Sequence, residues 1–570
     1  MNILRELIEE PLMSALTDMG VSGDFWRKAL GPSREKAQGD LSLPCFPFAK
    51  QLGKSPVDIA TALESSISGN FEVSSTGGYL NFKANPEWLA SNVLKENEMP
   101  GQKSVLIEHT SANPNGPFHV GRARNAILGD TLVRLNRLFG NQVRAEYYVD
   151  DMGKQVGVLA WALANLSSED VDNILNDAEE VNPKWIGKKD HETVRWYQAA
   201  QHLRSNAEDK KIEEEIGRLV HASEHGDDEV LAQFEDAYQP VLDGMLETLS
   251  RLGIEFDTFT KESKFVVDGT VSNLMEKLAS LEIHGVADNG AHFLDLGQRG
   301  LKGKTDFFYR RGDGSSLYAT RDIAYHMWEW QQSENLVNIL GEDHKLQAKQ
   351  VGMTLHELGQ KVPEVMFYAF IKLPEGKMST RRGNVVFMDD LLEEAQAQAA
   401  SVVRGLRSDL SDEEVEAIAE AVGVSAVRFN ITKVSPDKGF TFRWEEALSF
   451  EGESAPFMMY SHTRACSIAK RVGRDAKMDS KGEIPPAMHE LLRVMACYVD
   501  KLSHSVNENK PHVFALYLLE LATAYNSFYR DCHVIKDGEV DEFNFAVSEK
   551  ARALLREGMN GIGVIPLESM

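Results

Sequence analysis

Cysteine is scarce in this chain of 570 residues: Cys45, Cys466, Cys497 and Cys532 stand apart, in no CxxC spacing and without clustered histidines. A disulfide framework and a thiolate zinc site are thereby excluded, and a reduced, cytoplasmic setting without structural zinc is expected. Long apolar runs are missing as well, so no membrane-spanning helix and no membrane partner are expected. The opening residues set Leu4, Leu7 and Leu12 among Glu6, Glu9 and Glu10, which predicts an amphipathic helix in place of a signal segment. No internal repeat or low-complexity tract interrupts the chain. Basic charge is in deficit; the net charge of −26 argues, at face value, against a nucleic-acid partner.

The distribution of charge weakens that last exclusion. Residues 161–260 hold 23 acids against 9 bases, whereas residues 121–144 set Arg122, Arg124, Arg134, Arg137 and Arg144 against Asp130 alone. Residues 451–570, with 14 bases and 17 acids, are close to neutral. Such a chain can draw a polyanion to one face and repel it elsewhere, orienting a large ligand. A solubilising surface is the simpler reading of the acidic block.

Periodicity divides the chain into a multidomain α/β protein. Residues 1–98 read as an α+β module, with a helix capped by Ser55 and started by Pro56, and a strand over Tyr79–Phe82 after the Gly77-Gly78 turn. Strand, helix, strand follow at Val105–Thr110, residues 121–139 closed by Gly140, and Val143–Val149, the beginning of a Rossmann-like parallel sheet in a core whose first half is 99–165. Residues 166–305 break this rhythm with polar, acidic segments and are taken as an α/β insertion. The core resumes over 306–400, with a helix at Arg321–Gln331 and strands at Leu336–Gly341 and Val365–Leu373. A helical connection at 401–450 leads to an all-α bundle at 451–570, where Leu516, Leu519, Leu521, Ala522, Tyr525 and Phe528 form one apolar face.

The chemistry concentrates in two segments about 260 residues apart, Pro117-Phe118-His119-Val120-Gly121-Arg122 and Lys377-Met378-Ser379-Thr380-Arg381-Arg382. The first stands where a strand turns into a helix, so His119 and backbone N–H groups can donate to a polyphosphate, and Gly121 lets a nucleotide approach the backbone. Lys377, on a basic loop, can reach a departing pyrophosphate as a flexible cation. Activating a carboxylic acid with ATP asks for little else than positioning and charge stabilisation. Tyr318 and Asp322, four apart, share one helix face, and a carboxylate there suits a guanidinium with its fork of donors. In isolation each of these is a common structural feature.

In combination, the two segments resemble the HIGH and KMSKS motifs of class I aminoacyl-tRNA synthetases. Glu108–Gly121, Ser315–Tyr325, Gly341-Glu342-Asp343-His344, Ser454–Arg464 and the terminal Pro566–Met570 together resemble the arginyl-tRNA synthetase family over essentially the whole chain. The resemblance implies that L-arginine, ATP with Mg2+ as its complex, and tRNA(Arg) are the substrates, that the chain works as a monomer, and that no protein-bound metal is needed. It implies catalytic roles for His119, Arg122 and Lys377, and ATP contacts from His119, Gly121, Gly341, Asp343, His344, Lys377, Met378 and Ser379. Arginine contacts are implied for Glu108, Ser111, Asn113, His119, Tyr318, Asp322 and Asp343. For tRNA the implied contacts are Asn81 and Phe82 in a module at the outer corner (elbow), and Met459, Tyr460, His462 and Arg464 in an anticodon-binding bundle, with 401–450 at the stem. It further implies that tRNA precedes arginine activation and that the 2′-hydroxyl is esterified first.

Two positions depart from the family pattern. Arg122 stands where histidine is usual, and Thr380 where a second lysine is usual; Arg122, Arg381 and Arg382 are candidates to replace the lost cation. Asp150-Asp151 is taken as a solvated turn in preference to a metal site. A class I ligase for cysteine, glutamine or lysine remains open, as does a catalytically silent RNA-binding paralogue; the lack of a zinc thiolate site weighs against cysteine.

Overall fold

A computed structural model describes residues 3–33, 38–175, 183–206, 211–372, 386–449 and 451–570. The chain divides into two compact units, one of residues 102–137 and 141–447, the other of 1–101, 138–140 and 448–570.

The first unit is built on a five-stranded parallel sheet. Its central strand, Ser104–Glu108, is apolar over Val105-Leu106-Ile107 because both faces are covered. On one side lie Gln142–Val149 and then Thr258–Lys261; on the other lie Asn335–Gly341 and then Glu364–Tyr368. In chain order the strands read 3-2-1-4-5 across the sheet. The direction of winding therefore reverses between the central strand and Asn335–Gly341. Past the carboxyl ends of those two strands the connections diverge and leave a crevice, which is where open α/β sheets bind ligands. The edge strand Thr258–Lys261 comes from within the range expected to be insertion. The remaining insertion supplies helices and two strands, His284–Val286 and His292–Asp295; Asp306–Arg310, from the range expected to resume the core, pairs with them in a three-stranded antiparallel sheet.

The long helix Val120–Phe139 buries Ala123, Ala126, Ile127, Leu132 and Leu135 against this sheet unit. Gly129 sits where the helix meets the end of the central strand: a Cβ there would lie 2.3 Å from His109 Cβ. His109 is buried and bonds Thr110 Oγ1 through Nδ1 at 2.9 Å. Gly129→Ala should cost a net of about 1–2 kcal/mol, since overpacking outweighs the gain in helix propensity. Urea denaturation measures it; unchanged stability would contradict the tight approach.

In the second unit, a four-stranded antiparallel sheet holds Gly31–Pro32, Leu41–Pro44, Tyr79–Ala84 and Phe71–Thr76 in that order. Ser55 caps Pro56–Ser66 by accepting from Asp58 N at 3.1 Å. Helix Pro86–Val93 packs on Pro486–Ala496 of the C-terminal bundle, so the N-terminal module and the bundle share one unit. In Pro511–Asp531, Phe514, Leu518, Leu521, Ala522, Tyr525 and Phe528 are buried, but Leu516 lies off that stripe and is exposed. The four cysteines are free. Among the described residues, no helix is long and apolar enough to cross a membrane.

Candidate active site

A cavity of about 400 Å³ opens at the point where the sheet reverses its winding. Its floor is Glu108, the last residue of the central strand, and Asn338, which faces it in register from the neighbouring strand and donates Nδ2 to Glu108 Oε2 at 2.9 Å. Both are buried. Burial and, after it, the nearby Glu329 lift the Glu108 carboxyl to about 7 against the opposing hydrogen bond from Ser111.

The chain leaves this strand through a strained kink. Thr110 and Ser111 have φ of 68° and 36°, a region that β-branched threonine rarely enters. Asn125 Oδ1 accepts from Thr110 N at 2.7 Å, and Ser111 Oγ accepts from Tyr148 N at 3.1 Å while donating to Glu108. The strain thus places the Ser111 hydroxyl on the floor carboxylate. Asn113, also in the lining, is held by Gln155 Oε1 at 2.9 Å.

The wall opposite is the helix Tyr318–Gln332. Tyr318 and Asp322 both line the cavity, Tyr318 being 44% exposed. Burial raises the Asp322 carboxyl, opposed by His326 and His344. One turn further on, His326 Nε2 lies 3.5 Å from Asp322 Oδ1 and its Nδ1 lies 2.6 Å from Glu329 Oε2. A cavity lined by Glu108, Asp150 and Asp322 suits a cation with several donors. Leu340, Val362 and Val365 give it an apolar flank, able to take a planar base.

His119 stands at the start of the long helix, outside the cavity lining. It pairs with Phe387 through bonds from Val120 N to Val386 O at 2.9 Å and from Met388 N to Phe118 O at 2.8 Å. A Cβ on Gly121 would come within 3.0 Å of His119 Nδ1, so glycine leaves the imidazole room. Burial and, after it, the Arg122 guanidinium lower the His119 ring to about 4, so it is a neutral donor at physiological pH. Arg122, Gly341 and His344 line the cavity. A Cβ on Gly341 would stand 2.4 Å from Asp343 Oδ1, so a side chain there would push the Asp343 carboxylate aside. Asp343 itself is exposed. Lys377, Met378 and Ser379, with Thr380, Arg381 and Arg382, lie outside the described residues.

Several sequence expectations need correction. Asp150-Asp151 is no solvated turn: Asp151 is buried and accepts from Ser263 N and Oγ at 2.9 and 2.5 Å. Asp150 lines the cavity beside the buried Glu262 and Arg321, an ion pair of 2.8 Å. Asn81, Phe82, Met459 and His462 are each at most 1% exposed, so their side chains offer no surface to RNA in this structure. His462 Nδ1 instead bonds Leu567 O at 2.9 Å. Tyr460 is 41% exposed and Arg464 lies over its ring at 4.4 Å and over Tyr529 at 5.3 Å. Tyr529, His326, Glu329 and Asn338 were not expected from sequence. His326 and Glu329 lie one and two turns beyond Asp322, so helical spacing carried their signal. Among the described residues, Asp190, His191 and Asp389 gather as potential metal ligands, but the Lys188 ammonium lies 3.0 Å from Asp190 and 2.8 Å from Asp389 and supplies the cation there.

Comparison with known proteins gives three family matches: the class I (R) tRNA synthetase catalytic domain over residues 85–444, the DALR anticodon binding domain over 458–570, and the arginyl tRNA synthetase N terminal domain over 4–84. An arginine–tRNA ligase of Methanocella arvoryzae is 40% identical over 549 residues, 94% of each chain. One from Archaeoglobus fulgidus is 37% identical over 555 residues, 94% of this chain and 96% of the relative. The solved arginyl-tRNA synthetase of Thermus thermophilus superposes with a TM-score of 0.80 at 25% identity, with all of both chains covered.

Proposed function

The chain belongs to the class I arginyl-tRNA synthetase family and is an arginine–tRNA ligase, and from that premise we propose how its own residues carry the reaction. The arginine side chain enters the cavity and sets its guanidinium against Asp322, with Tyr318 bounding it and Glu108, Ser111 and Asn113 around the α-amino and carboxyl groups. ATP lies with its base toward the apolar flank and its phosphates toward His119, Arg122 and Lys377; Gly341, Asp343, His344, Met378 and Ser379 complete its contacts, and magnesium arrives with the nucleotide. The arginine carboxylate attacks the α-phosphorus, the bond to the β-phosphate oxygen breaks, and pyrophosphate leaves with the adenylate formed. The 2′-hydroxyl of the terminal adenosine of tRNA(Arg) then attacks the activated carbonyl and AMP departs.

The observation that carries this reading is the meeting of Glu108, Ser111, Tyr318 and Asp322 in one cavity where the sheet winding reverses. Segments more than 200 residues apart build a pocket of carboxylates beside an apolar flank of Leu340, Val362 and Val365. The N-terminal module serves the tRNA elbow, 401–450 the stem and the C-terminal bundle the anticodon loop. There Tyr460, Arg464 and Tyr529 form a stacking surface of the kind that reads unpaired bases. The enzyme acts in the cytoplasm as a monomer.

Incubation with ATP, each amino acid in turn and total tRNA tests the proposal. Charging with arginine alone is expected. Charging with lysine or glutamine would reassign the pocket, and absence of charging with intact tRNA would indicate an RNA-binding paralogue.

A further inference from the structure

The pocket helix carries a buried histidine that the steps above do not use. His326 is 8% exposed, and its two ring nitrogens address two different acids, Glu329 through Nδ1 at 2.6 Å and Asp322 through Nε2 at 3.5 Å. The groups facing it are Asp322, Tyr325 and Glu329 on its own helix and Glu108 on the central strand. His344 acts on Asp322 from the turn after Gly341, and Asn338 is bonded to Glu108. Three carboxyl groups thus surround one imidazole. Burial alone would strip its proton, but Asp322, Glu329 and Glu108 outweigh burial and hold it up to about 9.

We propose that His326 is the resident counter-ion of the arginine pocket, and that the incoming guanidinium takes over its charge and drives its Nε2 proton into solvent. The inference rests on arginine lying at Asp322, as proposed above. A guanidinium beside Asp322 supplies the same charge from almost the same direction, and two cations on one carboxylate repel. The guanidinium does not give up a proton, whereas an imidazolium does. After release, the neutral ring still donates Nδ1–H to Glu329, so that buried carboxylate keeps its partner. In both states one cation faces Asp322.

The sign follows directly. Below about 9 the free protein holds the proton and the arginine complex does not, so binding releases it and tightens as pH rises. One linked proton gives about tenfold in Kd per pH unit. Above that value both states are neutral at His326 and the dependence disappears. Glu108, lifted to about 7, would also lose a proton on binding, so pH 8 is the place to measure because its carboxyl is then already ionised.

Calorimetric titration of L-arginine into the full-length protein at pH 8, in two buffers of different ionisation enthalpy, reads the proton directly. Release of between about one half and one proton is expected, with Kd falling between pH 7 and 9. His326→Gln should still bind arginine but lose most of the release; His326→Gln with Glu329→Gln removes one cation and one anion together, and serves if the single variant does not fold. Binding without net release, or equal release from a variant, overturns the inference and leaves the pocket assignment standing. If arginine does not bind the unaltered protein, or binds Asp322→Asn equally well, the pocket assignment falls and takes the inference with it.

Discussion

Asp322→Asn should raise the KM for arginine in tRNA charging by about 10²- to 10³-fold, the larger part of the 3–5 kcal/mol that losing one partner of a buried charge pair costs. The substitution keeps shape and removes charge, so folding should be little affected. Asp322 lines the cavity on a helix whose neighbouring turn is already ordered by the His326–Glu329 contact. An amide there offers one acceptor and two donors to a guanidinium that has only donors, so one pairing becomes a clash of N–H groups. The contact is made by bound arginine before and during adenylate formation, so the loss belongs to KM and not to kcat. Tyr318→Phe is the contrast: Tyr318 is 44% exposed, and its hydroxyl should matter less than tenfold. Steady-state charging at saturating ATP and tRNA separates the two. An unchanged arginine KM in Asp322→Asn would show that the guanidinium lies elsewhere.

What could be read in the sequence was local. The strand, helix, strand run from Ser104 to Val149 announces itself because Val105-Leu106-Ile107 is continuous and the helix keeps its leucines at three and four. The edge strand Thr258–Lys261 has four residues, alternates weakly and exposes Phe259, so it passed for insertion; only pairing with Gln142–Val149 makes it part of the core. Asp150 and Asp151 look solvated because nothing nearby in sequence pairs with them, and their partners Ser263, Glu262 and Arg321 lie over 100 residues on. The bundle helix teaches a different lesson. Met459, Tyr460, His462 and Arg464 cannot all face outward on one helix: Tyr460 and Arg464 share a face, and Met459 and His462 turn inward. Helical geometry would have separated them without any structure.

His119→Ala should lower kcat for arginine-dependent ATP–pyrophosphate exchange, with tRNA present, by about 10²- to 10³-fold, the usual worth of one donor aimed at developing charge. The ring is lowered to about 4 by burial and by Arg122, so it acts as a neutral N–H donor and the rate should not titrate with His119 between pH 6 and 8. His119→Asn, which keeps a donor, should lose less than alanine does. A neutral histidine leaves charge neutralisation to its neighbours, and Arg122 lines the cavity three residues on. This links the two departures from the family pattern: Arg122 can supply the cation that Thr380, beyond the described residues, does not. Arg122→His alone should then be damaging, and Arg122→His with Thr380→Lys should recover part of the loss. Free energies that add to within about 0.5 kcal/mol would show the two positions to be independent; recovery beyond that margin would show that a second-motif lysine and a first-motif arginine are alternative solutions to one electrostatic requirement.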